Sequence, residues 1–161
     1  ITPQLFGKSL VLNAPGMDGL MLPLFTPDPP TQTVRVWNDV TKAVPLGQAA
    51  ADWVSTFLGR PCSLVHFSDA APRTVDPAYA RPDDQVGFAD GFPFLLISEG
   101  SLGDLNGRLD DPLPMNRFRP NLVVQGTPPY AEDGWAEVTV GDLTFRVVKP
   151  CARCSITTVE Q

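Results

Sequence analysis

The run Trp135–Val148, WAEVTVGDLTFRVV, reads as two short strands, WAEVTV and LTFRVV, on either side of Gly141-Asp142. Glycine at the first central position is what a type II′ hairpin turn requires, because the backbone there takes positive φ. Working outward, NLVVQ (121–125) is a third strand, and SITTV (155–159) is a β-branched run expected to close the chain as a fourth. PFLLIS (93–98) is a continuous apolar run bounded by Pro93, expected as a buried strand. Ser98 then stands where a helix N-cap belongs, with Leu102, Leu105 and Leu109 on one face, although Gly100, Gly103 and Gly107 weaken that helix.

The first half has a different rhythm. SLVLN (9–13) is apolar-rich, Ala14-Pro15-Gly16 breaks it, and GLMLPLF (19–25) resumes; prolines at 23, 27, 29 and 30 confine this region to edges and turns. QTVRVW (32–37) alternates, with Val34 and Val36 on one face and Thr33, Arg35 and Trp37 on the other. Pro45-Leu46-Gly47 leads into AAADWVSTFLG, whose apolar residues at 46, 50, 53, 54, 57 and 58 have helical spacing, with Gly59 placed to cap it and Pro61 to stop it. CSLVHF (62–67) reads as a strand. Residues 68–84, rich in Pro, Asp, Ala and Arg, read as a linker and the seam between two domains. The fold class expected is α+β, rich in β-structure, with two helices.

Composition narrows the function. Of 161 residues 43% are hydrophobic and 19% charged, as in an ordinary globular domain. A net charge of −6 disfavours nucleic acid as a partner, since neutralising phosphates takes clustered Lys and Arg. No apolar run approaches the roughly 20 residues that span a bilayer, so no membrane partner is expected. Three cysteines, an odd number, do not make a disulfide framework, and a reducing, cytoplasmic compartment is the expectation.

The chemistry concentrates in KPCARCSITTV (149–159). A C-x-x-C pair admits four readings. Zinc would need Cys62 and His66 as further ligands. A redox dithiol usually has a helix N-terminus to lower its thiol pKa, and a strand-like sequence follows here instead. Two small buried side chains are a third reading. A thiolate ready for another metal, helped by Lys149 and Arg153, is the fourth. The pair alone leaves all four open.

Its surroundings supply more. FADGFPFLLISEGSLGDLNGRL (88–109), NRFRPNLVVQG (116–126), YAEDGWAEVTVGDLTFRVVKP (130–150) and CARCSITTV (151–159) together resemble the MOSC family of molybdenum-cofactor-binding domains, in particular the branch that reduces N-hydroxypurines and amidoximes. Residues 1–80 resemble the rear part of the β-barrel domain that precedes MOSC in that branch, and residues 81–161 the first part of a MOSC barrel. The resemblance implies a molybdenum pyranopterin cofactor, an N-hydroxylated small-molecule substrate, and an electron-transfer protein of ferredoxin, flavoprotein or cytochrome type as partner. It also implies two non-catalytic alternatives: a cofactor-holding or sulfur-carrying module, and a structural fragment without cofactor.

Position by position, Cys154 matches the molybdenum-ligating thiolate and Cys151 a neighbour that is not a ligand. Arg119 and Asn121 of FRPN match residues that contact the pyranopterin. Ala152 and Arg153 match the segment before the ligand, and Ala89, Asp90 and Gly91 a loop along the cofactor, with Asp90 as candidate acid. These residue types suit the group: molybdenum held by dithiolene sulfur is soft and takes a thiolate, and its phosphate suits a forked guanidinium. Arg117, Arg119, Arg146 and Arg153 give the last third the local positive charge an anionic cofactor needs. Two family features have no counterpart. Residues 1–40 contain no PVKS-like motif, and the rest of a MOSC barrel would follow Gln161, so an internal fragment of a longer protein is expected.

Overall fold

In the computed structural model the described residues are 1–24, 30–67 and 73–160. They divide into two compact units, residues 1–75 with 82–90 and residues 76–81 with 91–161. Both are built of small sheets, and the fold class is the expected β-rich α+β with two α-helices among the described residues.

In the first unit β1 (Thr2–Phe6), β2 (Ser9–Asn13) and β3 (Leu20–Pro23) form an antiparallel sheet in that order, with Thr2 opposite Asn13 and Ser9 opposite Pro23. α1 (Gln48–Leu58) packs on it. Leu12 and Leu22 from the sheet, and Ala50, Trp53 and Val54 from the helix, form the buried cluster. Each such leucine stabilises the unit by about 2 kcal/mol through the apolar area taken from water. Trp53 also donates its indole N–H to the Asp18 carbonyl at 2.7 Å, so its one polar atom is satisfied. The stripe is narrower than the spacing implied, because Leu58 is exposed. Gly59 takes φ 66° and closes the helix by donating to Ser55, as a left-handed C-terminal glycine does.

A second antiparallel sheet comprises β4 (Gln32–Val36), β5 (Asp39–Pro45) and β6 (Val65–Phe67). β4 half-buries Val34 and Val36, as its alternation requires. β5 had no clear signal, since Asp39, Lys42 and Pro45 interrupt it, yet it buries Thr41, Ala43 and Val44. The strand expected over 62–67 begins only at Val65; before it, Ser55 Oγ both donates to and accepts from the Cys62 backbone, tying it to α1. The ends of two expected elements, Phe25 and residues 68–72 of the linker, lie outside the described residues, as do Pro27 and Pro29.

In the second unit β7 (Leu96–Ser98) and β8 (Leu122–Val124) pair in parallel. The Ser98 hydroxyl caps α2 (Glu99–Asn106) by accepting from the Ser101 amide at 3.0 Å, so the capping signal was sound. The helix stops before Leu109. β9 (Glu137–Val140) and β10 (Leu143–Arg146) make the expected hairpin, with Gly141 at φ 59°. Short 3-10 helices occupy Met115–Phe118, Ala131–Gly134 and Ser155–Thr158.

The last of these corrects the strand expected at 155–159. Thr157 donates both its amide and its hydroxyl to the Cys154 carbonyl, and the Thr158 hydroxyl donates to Ser155. Threonine hydroxyls turned back onto carbonyls three residues earlier stabilise a tight helical turn and override β-propensity. Among the described residues no helix is long and apolar enough to cross a membrane.

Candidate cofactor site

The residues singled out by sequence fall on both units, and each group has its own local geometry. In the second unit the segment Cys151–Cys154 is exposed along its length. Arg153 anchors it: one guanidinium nitrogen donates to the Phe118 carbonyl at 2.7 Å, and another lies 3.4 Å from Cys151 Sγ. The two thiols of the pair are therefore unlike. Cys151 faces a cation, whereas among the described residues Cys154 Sγ has no hydrogen-bond partner and is open to solvent. The reading of both cysteines as buried filler is thereby overturned. Ahead of the pair, Lys149 extends over the rings of Tyr79 and Phe92, 5.1 and 5.3 Å from their centroids, a cation–π arrangement that fixes the entry to the segment.

Arg119 caps the 3-10 helix Met115–Phe118 in the left-handed region, φ 52°. Among the described residues its guanidinium pairs with no carboxylate, so a surface salt bridge is not what holds it. Asn121 is partly committed. Its side-chain oxygen accepts from the Leu95 amide at 2.9 Å and its own amide donates to Leu95, which opens the parallel pair β7–β8. Its side-chain NH2 alone remains for a ligand. Ala152 is exposed, its carbonyl near Cys151 Sγ.

Ala89 and Asp90 belong to the first unit. Asp90 accepts the Trp37 indole N–H on one carboxylate oxygen at 3.0 Å. Both carbonyls, together with that of Gly87, point at the guanidinium of Arg73. Gly91 lies in the second unit, and a Cβ there would meet nothing within 4 Å; no steric demand for glycine is visible at this position.

A cavity of about 460 Å³ in the second unit is lined by Leu105, Leu109, Leu113, Phe118, Thr157 and Thr158, with Asp110, Asp111 and Arg117. Cys154, Arg119 and Asn121 do not line it, so it is distinct from the residues named for the cofactor.

Sequence reasoning missed Arg73, which sits in what read as a linker, and Trp37, which read as an ordinary strand residue. It also missed Glu132. This carboxylate is buried and accepts from the Ser98 amide (2.9 Å) and the Ser101 hydroxyl (2.6 Å) on one oxygen, while its other oxygen is buried without a partner among the described residues. Burial pushes its pKa up, but the hydrogen bonds from Ser101 and from backbone amides outweigh that, and the net position is below the usual carboxylate range. The one signal for it was an acidic pair inside YAEDGW.

Among the described residues no three His, Cys, Asp or Glu side chains group as metal ligands. A metal that arrives with its own sulfur ligands needs only one thiolate from the protein. The exposed, unengaged Cys154 thiol fits that requirement, and the uncommitted guanidinium of Arg119 fits an anionic group.

Residues 83–161 match the MOSC domain, and residues 1–61 match the MOSC N-terminal beta barrel domain. The chain belongs to the MOSC-domain proteins that carry this barrel domain ahead of MOSC. Among its relatives are mitochondrial amidoxime-reducing component 1 of Homo sapiens, 39% identical over 96% of this chain and 47% of the relative, and that of Mus musculus, 41% identical over 94% and 46%. Mitochondrial amidoxime reducing component 2 of Bos taurus is 35% identical over 94% and 46%. The chain thus spans about half the length of the curated relatives it matches.

The names of these relatives also correct the cytoplasmic expectation, for they are mitochondrial proteins. Free thiols record a reducing environment, which more than one compartment provides, so the cysteine count could not assign an address.

Proposed function

We propose that the whole protein binds a molybdenum pyranopterin and reduces N-hydroxylated compounds, among them amidoximes and N-hydroxypurines, in a mitochondrial setting. Residues 1–80 contribute part of the N-terminal barrel domain and residues 81–161 the first part of the MOSC domain. The overall reaction breaks the N–O bond, takes up two electrons and two protons, and releases the amine-type product and water. The electrons come from an electron-transfer protein of ferredoxin, flavoprotein or cytochrome type. When bound, the cofactor supplies the oxygen-removing redox chemistry; the protein supplies a ligand, orientation and electrostatics.

In this reading Cys154 is the thiolate ligand, and Arg153 holds the segment that presents it by gripping the Phe118 carbonyl. Arg119 offers its guanidinium to the anionic part of the cofactor and Asn121 its side-chain NH2 to the pterin edge. Ala152 and Arg153 frame the approach to the thiol. Ala89, Asp90 and Gly91 run along the cofactor. Asp90, one oxygen already accepting from Trp37, keeps the other for the substrate side as the candidate acid.

The observation that carries the reading is the contrast between the two thiols, one held beside a guanidinium and one exposed and unengaged. The test is made on the full-length protein with a chemical reductant, measuring amidoxime reduction and bound molybdenum. Cys154→Ser abolishes both, and Cys151→Ser leaves much of both. Equal loss from the two variants points instead to a dithiol or a shared metal. Molybdenum bound without any reduction assigns a carrier role.

A further inference from the structure

We propose that Arg73 is a positioning residue that clamps the Gly87–Asp90 loop in the conformation it presents to the cofactor. The proposal rests on the reading above of Ala89 and Asp90 as cofactor-side residues. It starts from burial: Arg73 is only 7% exposed, and a guanidinium so placed is costly unless its donors are satisfied. Asp39 at the start of β5 takes one, Nε to Oδ2 at 2.7 Å. Three more go to main-chain carbonyls of a single loop, Gly87 at 2.9 Å, Ala89 at 2.6 Å and Asp90 at 2.9 Å.

Three carbonyls within four residues, all turned onto one planar fork, fix the backbone between them. An ammonium has three donors and no fixed plane, so it cannot meet these three carbonyls and Asp39 together. The backbone of Arg73 is tied to the same loop, its carbonyl accepting from Val86 at 2.9 Å beside the Thr74–Gln85 bridge. Two further anchors act on the loop's side chains. Phe88 meets Phe67 of β6 edge to face, centroids 5.3 Å apart, and the Trp37 indole holds the Asp90 carboxylate. Asp90 is thus gripped at both ends, its carbonyl by Arg73 and its carboxylate by Trp37. Holding of this density serves a loop whose exact shape matters, as in the outer support of metal and cofactor sites.

The experiment uses the full-length protein and two readouts, hydrogen–deuterium exchange of the peptide spanning Val86–Gly91 and molybdenum bound per chain. Arg73→Lys keeps the charge but not the fork. Faster exchange in that peptide, with molybdenum affinity lowered by about tenfold, is the expected result. Unchanged exchange overturns the clamp. Faster exchange with undiminished molybdenum binding overturns its role toward the cofactor. If the lysine variant does not fold, Trp37→Phe, which alters an exposed side chain, shows a smaller change in the same direction; no change in either readout overturns the proposal. An unsubstituted protein that binds no molybdenum marks failure of the functional reading itself, while exchange still reports on the clamp.

Discussion

The indole nitrogen of Trp37 donates to a carboxylate oxygen of Asp90 across 3.0 Å, and it does so from a residue whose φ is 53°. A bulky side chain in the left-handed region is strained, by about 1 kcal/mol or somewhat more. The hydrogen bond returns a similar amount, about 1 kcal/mol. Trp37→Gly removes both and is expected to be nearly neutral in denaturant unfolding. Trp37→Val keeps the strain and loses the bond, and is expected to destabilise by about 1 kcal/mol. Equal stability of the two variants would contradict this balance.

Glu132 makes the stability of the second unit sensitive to acid. Its folded-state pKa lies below the ordinary carboxylate value of 4.5, because the hydrogen bonds from Ser101 and backbone amides more than offset its burial. A depressed carboxylate contributes stability that is fully present above the unfolded-state pKa and is lost as pH falls through the folded one. Denaturant unfolding between pH 7 and pH 3 should therefore show the natural chain more stable than Glu132→Gln at neutral pH, by about 1–3 kcal/mol. The gap should begin to close below about pH 4.5 and be lost as pH falls through the depressed folded-state value.

Two glycines of α2 should respond in opposite directions to alanine. A Cβ on Gly100 would stand 2.5 Å from the Thr127 carbonyl oxygen, with Pro128 and Pro129 backbone behind it. Overpacking against main chain costs about 1–3 kcal/mol and outweighs the gain in helix propensity. At Gly103 a Cβ would meet nothing within 4 Å, and alanine there should stabilise by up to about 1 kcal/mol. Chemical denaturation of the two variants checks the sign of each.

The three cysteines should differ in reactivity. Cys151 and Cys154 are exposed, while Cys62 is half-buried with its backbone tied to Ser55. Brief alkylation of the native chain, followed by mass spectrometry, should label the C-x-x-C peptide first, and Cys62 should react fully only after unfolding. Prior labelling at Cys62 would contradict the packing of α1 on its neighbours.

What could be read from the residues was mostly local. The Ala50, Trp53, Val54 stripe and Gly59 announced α1, Ser98 announced the start of α2, and Gly141 announced the hairpin. β1 carries no alternation in burial, all five of its residues being exposed, so periodicity had nothing to find. The turn after Cys154 depended on threonine hydroxyls choosing carbonyls over solvent, a competition that strand propensity does not describe. The motif around Cys154 stood out because its members are adjacent in sequence. Arg73 did not, since its partners at 39, 87, 89 and 90 become neighbours only when the chain has folded.

The parallel pair β7–β8 carries a consequence for the order of assembly. Every sheet contact in β1–β2–β3 and between β4 and β5 joins stretches next to each other along the chain, so those hairpins can zip within microseconds. β7 must wait for a partner opened by the contact between Leu95 and Asn121, 26 positions away, and closing that span costs entropy before any ladder bond repays it. During synthesis, the strand at Leu96–Ser98 therefore emerges from the ribosome well before its mate, and among the described strands it has the longest interval in which to find a wrong one.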